Sequence, residues 1–414
     1  MPESSDLSSF FKNATQNNSL RGVLDWSFMR GSFRVATFFD VPVRVHWTFG
    51  LLILFVIYVG KMRDANWLNI GIIVLLVLLL FVCVLLHEFG HALSAKYYGI
   101  PTRDITILPI GGMARLDRLP DNPIHEFVVA IAGPLVNLAI FGLLYIVLSV
   151  GFHINFNIGD LLEFRTNRII IDPVALFLAN LLHANLLLAV FNMVPAFPLD
   201  GGRVLRALLS IPFGRTKATA WAVFIGQTMA IMFFILAILP LGLTLLPENA
   251  LLNDVIDWEF QPVLMLISFF VIYTARHEYA QVLLEQEMTD NTIARIMSPI
   301  FTRFQTIDVM HSAIQKSAES AIKDFLVFDN EQILRGLLLE NDIQDAQKNS
   351  HFDAFISSYT TTEFQKARIG ESIKSVYDRM MKNEQSLFPV LNTEGVVVGV
   401  VDYDMMEKFM KGKM

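Results

Sequence analysis

Six apolar stretches in this 414-residue chain are long enough, or nearly so, to cross a bilayer, which takes about 17–25 residues of helix. They lie near Val45–Gly60, Trp67–Ala95, Phe127–Gly151, Pro173–Phe197, Ala218–Leu246 and Trp258–Thr274. In hydrocarbon every backbone N–H and C=O must find its partner inside the protein, so such stretches are read as helices. The first is the weakest, because Pro42 and Arg44 crowd its start and its apolar run is short. Charge follows the same division: of 71 charged residues, 36 come after Thr274. The pattern predicts a polytopic α-helical membrane protein of about six transmembrane helices, followed by a soluble part. An ordinary soluble enzyme and a disordered chain are both excluded.

Lys and Arg in the connecting segments set the orientation, since cytoplasmic flanks carry the excess. Lys12, Arg21, Arg30, Arg34 and Arg44 precede the first stretch, Lys96, Arg103, Arg115 and Arg118 follow the second, and Arg203, Arg206, Arg215 and Lys217 follow the fourth. The other side holds Lys61, Arg63, Arg165 and Arg168, and its loop 247–257 has no basic residue. Both termini are therefore expected in the cytoplasm, with the protein spanning the cell membrane several times. The polar start MPESSDLSSFFKNATQNNS reads as neither a signal nor a transit peptide. The single cysteine, Cys83, excludes an intramolecular disulfide framework, and no basic tract suggests nucleic acid.

The second stretch ends in His87-Glu88-Phe89-Gly90-His91. Histidines at i and i+4 share one helix face, so both imidazoles can reach one Zn2+, with Glu88 beside them as a candidate base. An ionisable residue inside hydrocarbon costs at least about 2.5 kcal/mol and persists when paired, coordinated or facing a wet cavity. Three within a turn and a half point to a metal site rather than to a wet helix end. Zinc needs a third protein ligand, and Asp200, at the inner end of the fourth stretch, is the carboxylate of comparable setting. Pro195 and Pro198 just before it cannot continue a regular helix, and unwound backbone at membrane depth belongs where it is buried or lines a cavity. Asp200 can also be read as the N-cap of a short helix starting at Gly201; capping and metal binding are compatible.

HEFGH on an early span and NMVPAFPLDGGR about a hundred residues later resemble the site-2 protease family of intramembrane zinc metalloproteases, in particular members with a C-terminal pair of CBS motifs. The resemblance takes in FDVPVRVHWTF, ILPIGGMARL, AGPLVN and the soluble tail. It implies one catalytic zinc held by His87, His91 and Asp200, Glu88 as catalytic base, and Asn192 as a residue that helps hold the substrate. It also implies a substrate that is itself a membrane-spanning segment, often already shortened by another protease. The chain departs from many bacterial members in having no insertion large enough for a PDZ domain, which puts recognition of a trimmed end through such a domain in doubt.

A substrate helix hides its carbonyls in hydrogen bonds and must unwind before attack. Thr102–Leu116 reads as a short membrane-associated β segment, polar and apolar by turns and bent at Gly111-Gly112, whose edge can pair with an extended substrate; an ordinary interfacial loop is the alternative. Asn137 is a candidate substrate-binding residue near the site or an interhelical structural one. Cys83, one turn from His87, reads as a small buried thiol, and His183 and Asn185 as polar packing in the bundle with a water path as the alternative.

The tail contains a repeat. Residues 325–336, FLVFDNEQILRG, align without gaps to residues 388–399, FPVLNTEGVVVG, at an offset of 63. Each copy reads as strand, polar turn, strand into Gly, then helix, which resembles an α/β tandem CBS domain. In that family the segment after the Gly carries Thr or Ser and, three residues on, an Asp for a nucleotide ribose. Here Leu339 and Asp342 stand in the first copy and Asp402 and Met405 in the second, so Asp342 alone fits. Adenine-nucleotide binding at Asp342 and ligand-free packing both stay open, as does a homodimer through this domain. The expected domains are a cytoplasmic segment 1–44, a transmembrane metalloprotease domain 45–274, a connector helix 275–289 and a cytoplasmic CBS pair 290–414. Two other readings compete with a protease acting on membrane proteins within the bilayer: a transporter regulated by CBS motifs, and an inactive scaffold of the protease fold. Ionisable residues concentrated at HEFGH and Asp200, rather than spread along several spans, favour the protease.

Overall fold

The structure, a computed structural model, describes residues 31–118, 120–154, 156, 172–244, 261–319, 324–383 and 385–412. The chain divides into two compact units, Asp25–Ala280 and Gln281–Met414. The first opens with β1 (Ser32–Phe38) and β2 (Val41–His46), then α1 (Thr48–Met62) and α2 (Trp67–Tyr97), then β3 (Thr102–Leu108) and β4 (Gly111–Leu116). These strands form one sheet in the order β1-β2-β3-β4. β1/β2 and β3/β4 are antiparallel, while β2 and β3 run parallel and α1 and α2 supply the crossover between them. Asp104 on β3 is buried and pairs with Arg115 on β4 and, at 3.4 Å, with Arg44 on β2, which ties three strands together. The β segment expected from residues 102–116 is thus the half of a four-stranded sheet that follows the crossover, and the expected boundary at residue 44 falls inside β2. Residues 1–30 of the expected N-terminal segment, with Lys12, Arg21 and Arg30, lie outside the described residues, as do Arg165, Arg168 and the loop 247–257.

Four helices then pack in sequence: α3 (Pro123–Ile146, extended by a π turn to Gly151), α4 (Pro173–Asn192), α5 (Asp200–Phe213) and α6 (Arg215–Thr244). α3 contacts α2, α4 and α5 and is the centre of the bundle. Asn66, Asn122 and Asp172 begin α2, α3 and α4 by accepting a backbone N–H of the first turn. Among the described residues, four helical stretches are long and apolar enough to cross a membrane: Trp67–Tyr97, Pro123–Gly151, Pro173–Asn192 and Arg215–Leu239. They turn Leu75, Leu78, Val82, Leu143 and Ile235 outward, as lipid-facing helices do. The chain is a membrane protein.

Two of the six expected spans differ. α1 has 15 residues and so extends about 22 Å, short of the roughly 30 Å hydrocarbon core, because Val45 and His46 are used in β2. The sixth stretch begins at residues 258–260, outside the described residues. Its remainder opens α7 (Pro262–Asp290), which runs through the expected connector without a break and turns polar from Arg276 onward. Arg206, counted above among cytoplasmic flank charges, is fully buried in α5. Its Nε donates to Glu126 on α3 at 2.7 Å and its Nη1 to Glu278 on α7 at 2.5 Å. A buried guanidinium held between two carboxylates joins three helices.

The second unit has two copies of one motif. β5 (Arg303–Gln305), α8 (Met310–Glu319), β6 (Phe325–Phe328), β7 (Leu334–Leu338) and α9 (Glu340–Lys348) are followed by β8 (Ala367–Arg368), α10 (Ile373–Asn383), β9 (Leu387–Leu391), β10 (Val397–Asp402) and α11 (Tyr403–Met410). Their sheets have orders β5-β6-β7 and β10-β9-β8. The offset of 63 holds in the hydrogen bonds: Asp329 accepts the N–H groups of Glu331 and Ile333, and Asn392 those of Glu394 and Val396. The segment entering each copy bridges to the other copy's sheet, Ser298 to Val400 and Thr361 to Leu337. This explains the repeated glycine. A Cβ on Gly336 would come 2.5 Å from Thr361 O, and one on Gly399 2.7 Å from Ser298 O. Leu326, Phe328, Leu337, Leu387 and Val400 form the apolar seam between the copies.

Candidate active site

His87 and His91 stand one turn apart on α2, both buried, with Glu88 half-buried beside them. After α4 ends at Asn192 the chain leaves helical geometry through Met193-Val194-Pro195-Ala196-Phe197-Pro198, held by Ala196 N–H to Val194 O and Leu199 N–H to Ala196 O. Ala196 and Phe197 are buried in this turn, and Gly201 and Gly202 let the next helix start against it: a Cβ on Gly202 would come 2.8 Å from Ala196 C. Leu199 holds the N-cap position and Asp200 is the first residue of α5, so the capping role considered for Asp200 is not taken and no side chain caps this helix. The carboxylate turns instead toward α2.

His87 Nε2, His91 Nε2 and Asp200 Oδ2 form a triangle with every side 3.1 Å. Each residue is buried, and together they make a cluster able to hold a metal ion. Two imidazole nitrogens and a carboxylate oxygen converge on one point, an arrangement that suits a bound cation. Zinc with ligands at about 2.0–2.1 Å in tetrahedral geometry holds them about 3.3–3.4 Å apart, close to the observed spacing. The donor set, two nitrogens and one oxygen, is one that zinc takes in catalytic sites with its fourth position left open. His91 Nδ1 donates to the Val129 carbonyl on α3 at 2.7 Å, which fixes that ring with Nε2 facing the cluster.

Glu88 Oε2 accepts the backbone N–H of Ala114 on β4 at 2.9 Å. β4 is an edge strand, so the acid lies against the unpaired side of the sheet. Gly112 makes this approach possible, since a Cβ there would come 2.6 Å from Glu88 Cγ. Across the site, Gly133 of α3 faces the two histidines with no side chain: a Cβ would come 2.7 Å from His87 Nε2 and nearer still to His91 Nε2. Asn192 is half-buried at the end of α4. Asn137 is fully buried in α3, and neither of its amide atoms has a hydrogen-bond partner. Sequence reasoning missed Gly133, although the Gly-Pro pair of AGPLVN inside a helix was a visible signal, and it missed the burial of Arg206, whose partners Glu126 and Glu278 come from helices distant in sequence.

Residues 75–237 match the family model for peptidase family M50. A zinc metalloprotease of Methanocaldococcus jannaschii is 33% identical over 271 residues, 66% of this chain and 67% of that protein. The chain belongs to peptidase family M50. For two other curated relatives, at 32% and 31% identity, the M50 peptidase matches 59% and 50% of their length. Among solved structures it is similar to a site-2 protease from Methanocaldococcus jannaschii, at 33% identity over 60% of this chain and 95% of that one with a TM-score of 0.40. It is also similar to a CBS domain pair crystallised with 5′-methylthioadenosine and S-adenosylmethionine, at 21% identity over 30% of this chain and 98% of that one with a TM-score of 0.28. The M50 peptidase is a membrane metalloprotease.

Proposed function

We propose that the protein is a zinc-dependent intramembrane endopeptidase that hydrolyses peptide bonds within or near transmembrane segments of membrane proteins. The observation that carries this reading is the convergence of His87, His91 and Asp200 on one point with Glu88 beside it, the histidines and the glutamate on a helix long and apolar enough to cross a membrane. His87, His91 and Asp200 would hold the metal. Zinc, when bound, supplies a Lewis acid that polarises the scissile carbonyl and acidifies a water.

The chain's own residues do the rest. Glu88 takes the proton of the attacking water at its carboxylate and passes it to the leaving amine. Edge strand β4 receives the unwound substrate as a further strand, its backbone taking over hydrogen bonds that the substrate helix gives up. The two hydrogen-bonding roles meet at Ala114, whose N–H is held by Glu88 in this structure. Asn192, at the mouth of the unwound turn, holds the substrate.

In this reading the protein spans the cell membrane several times with both termini in the cytoplasm, and its C-terminal CBS pair regulates cleavage. A cavity of about 550 Å³ in that unit is lined by Leu337, Leu339, Thr361–Gln365, Asn383 and Gln385. Asp342, in the first turn of α9 that starts after Leu339, presents a buried Oδ2 with no hydrogen-bond partner, a place for an adenine nucleotide's ribose hydroxyl. The test is the Glu88→Gln variant set beside wild type, with metal analysis of both purified proteins and cleavage of single-span proteins followed in cells. Unchanged zinc with cleavage abolished is the expected result; cleavage near the wild-type rate refutes the base.

A further inference from the structure

The two histidines differ in how their second nitrogen is used. His91 Nδ1 has the Val129 carbonyl as partner, whereas His87 Nδ1 is buried with none. A histidine that ligates through Nε2 carries its proton on Nδ1, and metal-bound rings almost always hand that proton to an acceptor.

The neighbouring turns hold unused polar atoms on three helices. One turn back from His87 on α2, Cys83 Sγ accepts from Asn185 Nδ2 on α4 at 3.4 Å, and Asn185 Oδ1 has no partner. On α3, His91 meets Val129 and both histidines meet Gly133, so stepping back along α2 from His91 through His87 to Cys83 matches stepping forward along α3 from Val129 through Gly133 to Asn137. Asn137 therefore sits on the face of α3 that looks toward His87 and Cys83. It is 0% exposed, as is Asn185, and both its amide atoms are without a partner. Four unpartnered polar atoms within about one helical turn of each other in an apolar bundle are the setting that internal waters fill, each water taking about two to four such partners.

We propose that His87 Nδ1, Asn137 and Asn185 enclose an internal water site, and that its water fixes the tautomer and orientation in which His87 presents Nε2 to the metal. The water accepts the His87 Nδ1 proton and an Asn137 N–H and donates to Asn185 Oδ1. Asn137 and Asn185 are thus positioning residues that act through His87. The proposal rests on the reading of His87 as a zinc ligand.

The test uses full-length protein in detergent, stripped of metal, with zinc affinity measured by chelator competition and ring geometry followed through the visible absorption of the Co2+-substituted protein. Asn137→Leu and Asn185→Leu should each weaken zinc binding by about 10–100-fold and alter the Co2+ spectrum. The double variant should lose no more than the worse single, because one water is lost either way. Asn137→Ser and Asn185→Ser, which leave a hydroxyl and room for water, should stay near wild type. Wild-type affinity in the Leu variants, or losses that multiply in the double variant, overturns the proposal. A wild-type crystal structure at a resolution that shows waters decides independently of how the variants fold: a peak within hydrogen-bond reach of His87 Nδ1 supports the site and its absence overturns it. Zinc stoichiometry of the wild-type protein reports separately on the ligand reading, since an internal water does not depend on the metal.

Discussion

Gly133→Ala isolates the geometry of the proposed metal site from the stability of the helix that carries it. In the interior of α3 alanine is the better helix former by about 1 kcal/mol, so local propensity favours the variant. The added Cβ, however, would come 2.7 Å from His87 Nε2 and 2.6 Å from His91 Cε1, where ordinary contact begins at 3.4 Å. Either the two rings swing away, which breaks the 3.1 Å triangle, or α3 withdraws from α2 by about 1 Å, the shift that the still nearer His91 Nε2 requires. Withdrawal pulls the Val129 carbonyl from His91 Nδ1 as well. A misplacement approaching 1 Å at a reacting centre costs on the order of 100-fold in rate, and overpacking of a core typically costs about 1–3 kcal/mol, partly offset here by propensity. The expected variant is folded, melts within a few degrees of wild type, binds zinc at least about 10-fold more weakly and cleaves about 100-fold more slowly. Chelator competition, thermal melts in detergent and a substrate-cleavage time course measure the three quantities. Wild-type zinc affinity together with wild-type cleavage would refute the placement of a metal between these histidines and Asp200.

Asp200→Ala should lower zinc occupancy of the purified protein, and full stoichiometric zinc would assign the third ligand elsewhere. Arg206→Met should destabilise the membrane unit by about 3–5 kcal/mol by stranding Glu126 and Glu278, and adding Glu126→Gln and Glu278→Gln should restore most of it; a single variant that melts like wild type contradicts the buried triad. Burial, with the neighbouring carboxylates of Asp345 and Asp324, raises the Asp342 carboxyl above its ordinary value. Its ionisation therefore costs stability as pH rises through that raised value, and no such cost exists below the unfolded-state value of about 3.9. Asp342→Asn should melt higher than wild type at pH 7, with the gap closing toward pH 4; a gap that stays constant with pH contradicts the assignment.

What was legible in the sequence is what short-range spacing determines. His87 and His91 share a face because they are four apart on one helix, and Pro195 and Pro198 mark the unwound turn before Asp200 because proline cannot continue a helix. The repeat at offset 63 was legible down to its turn, since Asp329 and Asn392 make the same two backbone contacts. What was not legible depends on crossovers. β2 and β3 are neighbours only because α1 and α2 return the chain to the same side, so the contact between Ala114 and Glu88 has no signature in local pattern. Arg206 was misjudged for a related reason: a basic residue in a short segment looks like a flank charge until two carboxylates from distant helices are seen to enclose it.

AGPLVN, which first stood out as a family motif, gathers several of these threads in one turn and a half of α3. Gly133 leaves room for the donor atoms of both histidines. Pro134 has no N–H to give the Ala130 carbonyl, so the ladder of α3 is interrupted one residue from the Val129 carbonyl that orients His91. The Val129 carbonyl accepts from a side chain of the neighbouring helix at this point. One turn farther, Asn137 buries an amide without a hydrogen-bond partner where apolar packing would be cheaper. Each of the three residues weakens α3 as an isolated helix, and Gly133 does so directly against His87 and His91. Local propensity is given up where the geometry of His87 and His91 is set, so α3 is as much a part of the site as the helix that bears the histidines.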